Sequence, residues 1–287
     1  MDELKQEQDG LRKAIERQSA RIERLAAAAA RQEWRELLRA IPDGRRLEHW
    51  GRKVYSQNDE DGILAEMLRR LGLGPSSGIV VEIGAGNGLE NNSHLLLLQG
   101  YAGVWMEADD ANVDRMRKRF ADHLSSGQLH VLQLFATAEN VEAALAPPVG
   151  GRPVVLLSID VDGNDYWLWK AVTSIRPPIV MIEYNGKFPP PTSIVQRYRP
   201  DHVWKGTDYF GASLSAMEKL AHAKGYRLVG CNITGTNAFF VRTDLLGGHF
   251  PYQQTAEHLY QPCRYHLTYD CFATAGHKPD VGPFETV

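Results

Sequence analysis

The feature that most constrains the fold is the segment Ile79–Gly88, in which an apolar run ends in an acid and is followed by three glycines. The apolar, β-branched run predicts a buried parallel strand, because both faces of such a strand are packed. Gly84, Gly86 and Gly88 predict a tight loop, since glycine allows sharp bends and close approach of the backbone to a ligand. A helix with free N–H groups is predicted from about Asn92. The segment therefore predicts the first unit of a nucleotide-cofactor fold.

The spacing of these glycines separates two classes of cofactor. Dinucleotide folds place G-x-G-x-x-G before a helix that binds pyrophosphate, whereas this chain has G-x-G-x-G with Glu82 two residues earlier. An acid there would repel pyrophosphate and suits a cofactor with a cationic amino group and a sulfonium. The pattern resembles that of class I S-adenosylmethionine-dependent methyltransferases. This resemblance implies that Glu82, Gly84, Gly86 and Gly88 bind the cofactor; a glycine turn without a ligand is the alternative.

Length, charge and cysteine content restrict the class of protein. With 287 residues, the chain can form one large α/β domain with an appendage. A net charge of −3 argues against bulk electrostatic binding of nucleic acid. No apolar run approaches the length of a membrane span, and the polar N-terminus is unlike a secretory signal. Cys231, Cys263 and Cys271 lack metal-type spacing, so we expect reduced thiols in a cytoplasmic protein.

The first 44 residues differ from the rest of the chain. They lack strand signals, are rich in charged residues, glutamine and alanine, and place apolar residues at heptad spacing, at Leu11, Ile15, Ile22 and Leu25. Two interpretations remain open, a solvated amphipathic helix and a short coiled coil that joins two subunits. We expect Trp34, Leu37 and Leu38 to dock the end of this helix onto the main domain, residues 45–245. Residues 246–287 are predicted to be an irregular extension.

The second and third predicted strands end beside the glycine loop. Tyr101–Glu107 is the second strand, and the carboxylate of Glu107 can accept hydrogen bonds from both hydroxyls of a ribose. Gln128–Phe135 is the third strand, and Phe135 is a candidate to stack on adenine. The alternatives are helix capping by Glu107 and core packing by Phe135. By resemblance, two residues that precede the first strand are candidates to contact the methionine end of the cofactor, Gln57 and Asn58.

The fourth and fifth predicted strands end in acids. Asp160, Asp162 and Asp165 follow the apolar run from Val154, and Glu183 and Asn185 follow the next one. Because ligands bind outside the carboxyl ends of parallel strands, these groups should lie near the cofactor. Hard oxygen ligands suit Mg²⁺ or another divalent cation. We therefore predict a metal site formed by Asp160, Asp162, Glu183 and Asn185.

Three further positions are candidates for handling the acceptor. Asp160 and Asp162 are the expected catalytic acids, and His94, at the predicted helix start, is a candidate base. A structural histidine is the alternative for His94. The segment Pro189–Lys205 is long for a loop and predicts a lid or substrate-facing insert. The ring side chains of this segment suit stacking on a sugar, and packing within the protein is the alternative. These residues are Tyr198, His202 and Trp204.

From Ser56 to Arg242 the chain also resembles the FkbM-like branch of these methyltransferases. The residues that carry this likeness are Ser56–Gly62, Val81–Gly86, Ser158–Gly163 and Phe239–Arg242. The resemblance implies a Rossmann-like, seven-stranded, mostly parallel sheet with helices on both faces. It also implies O-methylation of a sugar, glycan or natural-product hydroxyl with S-adenosylmethionine. Two rival hypotheses are a non-catalytic scaffold of the same fold in a glycan-assembly complex, and an oxidoreductase that binds NAD.

Overall fold

A computed structural model describes residues 2–268, with side chains described from residue 5 onward. Cys271 and most of the predicted C-terminal extension lie outside this range. Among the described residues, no helix has the length and apolar character that crossing a bilayer requires. Cys231 and Cys263 are free thiols, as expected.

The described part of the chain is organised around one seven-stranded sheet with the order β3-β2-β1-β4-β5-β7-β6. β1 to β5 are parallel, and β7 is antiparallel to both β5 and β6. This confirms the predicted Rossmann-like, mostly parallel sheet. The strands are β1 Ile79–Ile83, β2 Ala102–Glu107, β3 Leu129–Gln133, β4 Val154–Ile159, β5 Ile179–Glu183, β6 Tyr226–Cys231 and β7 Asn237–Arg242.

Helices connect the strands and cover both faces of the sheet. They are α1 Asp2–Arg39, α2 Glu60–Leu71, α3 His94–Leu98, α4 Asp110–Arg119, α5 Ala121–Ser125, α6 Val141–Val149, α7 Asp165–Ala171, α8 Leu214–Lys224 and α9 Ala256–Leu259. Short 3₁₀ turns span Leu47–Trp50, Pro75–Ser77 and Thr243–Leu245. α3 is only five residues long and begins two residues later than predicted, so the glycine loop is followed by irregular backbone up to Ser93.

The core is divided by the sheet, because successive side chains of a strand point to opposite faces. In β1, Ile79, Val81 and Ile83 pack into a cluster that includes residues of α6, α7 and α8. Val80 packs on the other face with residues of α2 and α3. Both faces of β1 are buried, which explains why its sequence is apolar except for the buried Glu82 near its end.

The C-terminal end of α1 packs against the domain, as the sequence predicts. Ala30 is buried against Ile233 and Leu267, and Trp34, Leu37, Leu38 and Ile41 pack around this contact. The ring of His266 lies 2.9 Å from a carboxylate oxygen of Glu33. The N-terminal half of the helix extends from this anchored end with its side chains exposed.

Candidate functional site

A cavity of about 630 Å³ opens where β1, β2, β4 and β5 end. Ile83 of β1 is aligned with Met106 of β2 and with Ile159 of β4. The residues that follow these aligned positions therefore form one row at the carboxyl edge of the sheet, namely Gly84, Glu107 and Asp160. All three line the cavity, as the strand-end argument predicts.

The first two glycines of the loop shape the wall of the cavity. Gly84 has φ +91°, and a Cβ atom there would lie 1.7 Å from the carbonyl oxygen of Asp160. Gly86 has φ +55°, and its N–H donates to Oε2 of Glu107 at 2.8 Å. The structure does not bring Gly88 to the cavity: its missing Cβ makes room for the rings of Phe120 and Trp105 and for Met116 beneath the loop.

Glu107 and Phe135 stand together at the side of the cavity formed by β2 and β3. Oε1 of Glu107 also accepts the N–H groups of Ala108 at 2.9 Å and Asp109 at 2.8 Å. These contacts fix the carboxylate while leaving it in the cavity wall. Phe135 is 43% exposed there, so one of its surfaces is available to a ligand. The pair has the arrangement that a ribose and an attached base would need.

Glu82 lies beneath the loop and does not line the cavity. It follows Val80 on the same side of β1, and its oxygens accept the N–H groups of Asn92 at 2.8 Å and Ser93 at 3.0 Å and the amide of Asn91 at 2.9 Å. Burial outweighs these contacts and raises the pKa of Glu82 to about 7. The expectation that Glu82 contacts the cofactor directly is replaced by a role in holding the segment that follows the loop.

His94 lies in an aromatic cluster, so the structure does not support it as a catalytic base. Its ring stacks on Tyr55 with a centroid distance of 3.9 Å and meets Phe120 edge-on at 5.1 Å. The side chain is fully buried and is absent from the cavity wall. Burial lowers the pKa of His94 to about 4, which keeps the ring neutral at pH 7.

The two candidates that precede α2 have different environments. Gln57 is exposed and lines the cavity. Asn58 is buried behind it, where its amide donates to Glu60 at 3.0 Å and to Thr236 at 3.2 Å. Thr236 in turn lines the cavity. Asn58 therefore supports the back wall of the site and does not reach the ligand space.

Three acids meet at the floor of the cavity: Asp160, Asp165 and Glu183 place carboxylate oxygens within 4.8 Å of one another. Asp165 is held by N–H groups of Val161 and Gly163, each at 2.8 Å, and Oε2 of Glu183 is buried without a hydrogen-bond partner. Burial, then the neighbouring negative charges, raises the pKa of Asp160 and Glu183 well above their usual range. Burial is also the largest cause of the rise in the pKa of Asp165 to about 6.

The structure changes the predicted metal-ligand set at two positions. Asn185 is turned away from the acids: its amide donates to the carbonyls of Asp208 at 2.9 Å and Phe210 at 3.0 Å, and its oxygen accepts the N–H of Lys187 at 3.1 Å. Asp162 lines the cavity but is not part of the three-acid cluster. Asp165, which the sequence analysis noted without assigning it a role, belongs to the cluster instead.

His202 is the ionisable residue at this site whose role the sequence analysis did not identify. It reaches the cavity from the predicted lid and packs against Gly163, where a Cβ atom would lie 2.4 Å from its ring. Burial raises the pKa of the neighbouring Asp162, and a positive charge on His202 opposes this rise. Nε2 of His202 is buried with no hydrogen-bond partner. The length of the lid segment was the available signal, but it did not indicate which ring faces Asp162.

The cavity wall is rich in acids, one of which, Glu90, is paired with Nζ of Lys53 at 3.3 Å just outside the wall. Its acidic lining consists of Glu90, Glu107, Asp160, Asp162 and Glu183. Among the described residues of this wall there is no lysine or arginine. The cavity therefore favours a cationic ligand over an anionic one.

Comparisons with known proteins find similarity among solved structures alone. No family model matches the chain, and no curated protein matches it. The CcbJ methyltransferase from Streptomyces caelestis shares 11% identity over 62% of this chain and 88% of its own, with a TM-score of 0.39. A putative caffeoyl-CoA O-methyltransferase from Staphylococcus aureus shares 13% identity over 72% and 91%, with a TM-score of 0.43. A SAM-dependent methyltransferase from Aquifex aeolicus shares 12% over 72% and 97%, with a TM-score of 0.38.

Proposed function

We propose that this chain is an S-adenosylmethionine-dependent O-methyltransferase whose cofactor lies across the glycine loop. The observation that carries the proposal is the acidic cavity, whose described wall has no lysine or arginine. A pyrophosphate would meet like charge there, since Lys53 beside the wall is already paired with Glu90 at 3.3 Å. The sulfonium and ammonium groups of S-adenosylmethionine are attracted by the same wall.

Glu82 supports this choice over a dinucleotide. Pyrophosphate binds in dinucleotide folds at the free N–H groups of the helix after the glycine loop. Here Glu82 accepts the N–H groups of Asn92 and Ser93 just before α3, so a buried carboxylate already uses these two donors. In the proposed complex Glu107 binds the ribose, Phe135 stacks on adenine, and the methionine end lies toward Gln57.

Transfer of the methyl group is an in-line displacement on carbon. A lone pair of the acceptor oxygen forms the new C–O bond, and the electrons of the C–S bond return to sulfur to give S-adenosylhomocysteine. The acceptor proton passes to a base at the mouth of the cavity, where we place Asp162 with His202 beside it. The main contribution of the protein is to align donor and acceptor in a site that excludes water.

A divalent cation suits the cluster of Asp160, Asp165 and Glu183. Three acids packed this closely cost free energy unless a cation or protons compensate them, and the unpaired oxygen of Glu183 is a ligand without a partner. Carboxylate oxygens are the preferred ligands of Mg²⁺. When bound, the ion would supply a Lewis acid that stabilises a developing alkoxide.

The rim of the cavity supports a sugar or a polyketide-type natural product as the acceptor. Trp204 is 45% exposed, and its indole N–H donates to the carbonyl of Thr207 at 2.6 Å, which fixes the orientation of the ring. Val203 is exposed beside it. A fixed, exposed aromatic surface next to acids can bind the apolar side of a ring while the acids bind its hydroxyls.

The cofactor is tested by calorimetric titration with S-adenosylhomocysteine, in EDTA and in Mg²⁺. We expect micromolar binding by the wild type and by Asp114→Asn, a control on the exposed side of α4. Glu107→Gln should weaken binding about tenfold or more, because one of the two ribose acceptors is lost. Binding of NAD without S-adenosylhomocysteine would establish the oxidoreductase instead.

Catalysis is tested separately from cofactor binding. With a panel of sugar and natural-product acceptors, methyl transfer from labelled S-adenosylmethionine should be lost in Asp160→Ala while S-adenosylhomocysteine still binds. Unchanged turnover in Asp160→Ala would contradict the assigned role of this acid. A folded protein that binds the cofactor product but transfers no methyl group to any acceptor would favour the non-catalytic scaffold.

A further inference from the structure

The N-terminal half of α1 carries an apolar stripe that the rest of the described chain leaves uncovered. This heptad stripe consists of Leu11, Ile15, Ile22 and Leu25, which are 63%, 61%, 65% and 63% exposed. Isolated exposed leucines are common, but four at heptad spacing along one helix form a continuous surface. Such a surface is typical of a helix that pairs with another helix.

The heptad stripe is distinct from the face by which α1 packs on its own domain. That contact uses Ala27 and Ala30, which are 1% and 4% exposed. At about 100° per residue, Leu25 and Ala27 lie roughly 200° apart around the helix. Ala27 lies about 120–160° around the helix from all four stripe residues, whereas Ala30 lies only about 60–80° from Ile15 and Ile22. The stripe therefore faces away from most of the domain contact, and a second helix can approach it on the N-terminal side of that contact.

The sequence of the stripe selects the kind of partner. The heptad register places Ile15 and Ile22 at a positions and Leu11 and Leu25 at d positions. In a parallel coiled coil, β-branched residues at a with leucine at d favour two strands. In an in-register parallel pair each of these residues meets its own counterpart, so a second copy of this chain satisfies the whole stripe.

The flanking charges are complementary in the same arrangement. Glu7 occupies a g position and Arg12 the following e position, and both are exposed. In a parallel pair the g residue of one helix faces the next e residue of the other, which forms a Glu7–Arg12 pair on each side. Within its own helix Arg12 contacts Glu16 at 3.3 Å, an exposed pair that leaves the guanidinium free to exchange partners.

We propose that α1 pairs with α1 of a second copy of this chain as a parallel coiled coil, which makes the protein a homodimer. The two domains then lie at the same end of the coiled coil, each held by its own Ala27–Ala30 contact. The stripe spans only about two heptads, which gives a weak association that depends on concentration. Gln18, at a d position inside the stripe, weakens it further.

The proposal is tested on the full chain by sedimentation velocity over a wide range of concentrations. We expect a monomer–dimer equilibrium whose dissociation constant rises at least about 100-fold in Ile15→Gln/Ile22→Gln, because four large apolar side chains per dimer lose their burial. Glutamine has at least the helix propensity of isoleucine, so the helix itself is retained and circular dichroism should confirm it. Arg17→Gln/Arg24→Gln, on the solvent side of the same turns, is the matched control and should leave the equilibrium unchanged.

Two further variants test the register and the orientation. Gln18→Leu should tighten the dimer, since it fills the interruption in the stripe. Leu11→Cys should form an intersubunit disulfide on oxidation, with the wild type as control for the native thiols, because only a parallel in-register pair brings the two Leu11 positions together. A monomer at all concentrations, or a dimer that the double isoleucine variant leaves intact, would overturn the proposal, and failure of the Leu11→Cys crosslink would overturn its parallel orientation.

Discussion

The strongest test of the three-acid cluster is Asp160→Asn, which removes one negative charge without changing the size of the side chain. Asp160, Asp165 and Glu183 lie within 4.8 Å of one another and are compensated by no lysine or arginine in the described cavity wall. The pKa of Asp165 rises from 3.8 to about 6, which corresponds to about 3 kcal/mol of unfavourable free energy once the group is ionised. Burial is the largest cause, followed among the like charges by Asp162. The repulsion between Asp160 and Asp165 contributes instead to the raised pKa of Asp160, and its relief in Asp160→Asn should recover about 1–2 kcal/mol.

In EDTA at pH 8, Asp160→Asn should therefore melt at a higher temperature than the wild type. One kcal/mol corresponds to about 2–4 °C for a domain of this size, so we expect a rise of about 2–8 °C in differential scanning fluorimetry. Added Mg²⁺ should stabilise the wild type by mass action and have little effect on the variant, which has lost a charged ligand. The loss of one acidic group should thus raise the melting temperature in EDTA and remove the stabilisation by Mg²⁺.

Asp162→Asn is the matched control for this experiment. Asp162 belongs to the same loop but lies outside the three-acid cluster, and asparagine tolerates the φ of +55° found there. The charge of Asp162 also raises the pKa of all three acids, so the control should show part of the rise in melting temperature. It should keep the wild-type response to Mg²⁺, which is the readout that separates the two variants. If Asp160→Asn is less stable than the wild type in EDTA, or responds to Mg²⁺ as the wild type does, the cluster is not a cation site and the electrostatic reasoning fails.

The other predictions concern the loop and the buried groups around it. Gly84→Ala should lower the free energy of unfolding in urea by at least about 3 kcal/mol, because its Cβ would overlap the carbonyl of Asp160. Gly86→Ala has open space around its Cβ at φ +55° and should lower it by about 1–2 kcal/mol. Equal losses in the two variants would contradict the geometry. Folding raises the pKa of Glu82 from 4.5 to about 7, so its contribution to stability is complete below pH 4.5 and is lost as the pH rises through 7. The difference in unfolding free energy between wild type and Glu82→Gln should accordingly shift by about 3 kcal/mol toward the variant from pH 4.5 to 8, and a pH-independent difference would refute this. His94→Phe should retain S-adenosylhomocysteine binding and the pH profile of methyl transfer, and an altered profile would return His94 to the list of bases.

The sequence predicted the row of groups at the edge of the sheet because that row depends on strand position alone. Each apolar run ends where its strand ends, and parallel strands bring their carboxyl ends together. Glu107, Asp160 and Glu183 were therefore placed at one edge without knowledge of any side-chain contact, and the structure has them there. The seven-stranded, mostly parallel sheet was expected from the resemblance to class I methyltransferases, and the structure has it.

The membership of the acid cluster could not be predicted because it depends on loop conformation. After β4 the backbone turns through Asp162 at φ +55° and Gly163 at φ +159°, which brings Asp165 back beneath Asp160. Strand alternation does not describe such a turn. Asn185 follows its strand as expected, but its amide pairs with the carbonyls of a loop more than twenty residues later, and the local sequence gives no sign of this contact.

His94 and Glu82 share a common reason for their unexpected roles. Sequence reasoning assigned both to the ligand because polar groups near a glycine loop are candidates for binding. In the structure the ten residues from Gly84 to Ser93 form an irregular loop that precedes α3. Buried side chains beneath this loop hold its conformation. Glu82 does so through hydrogen bonds and His94 through its stack on Tyr55, a residue nearly forty positions earlier.

This support also explains how an acid outside the cavity can influence the choice of cofactor. Because Glu82 binds the N–H groups of Asn92 and Ser93, these two donors just before α3 are not available to a phosphate. The acids of the cavity wall then disfavour anions by charge. Two independent features, one of hydrogen bonding and one of electrostatics, thus disfavour a pyrophosphate and agree with the cationic cofactor that we propose.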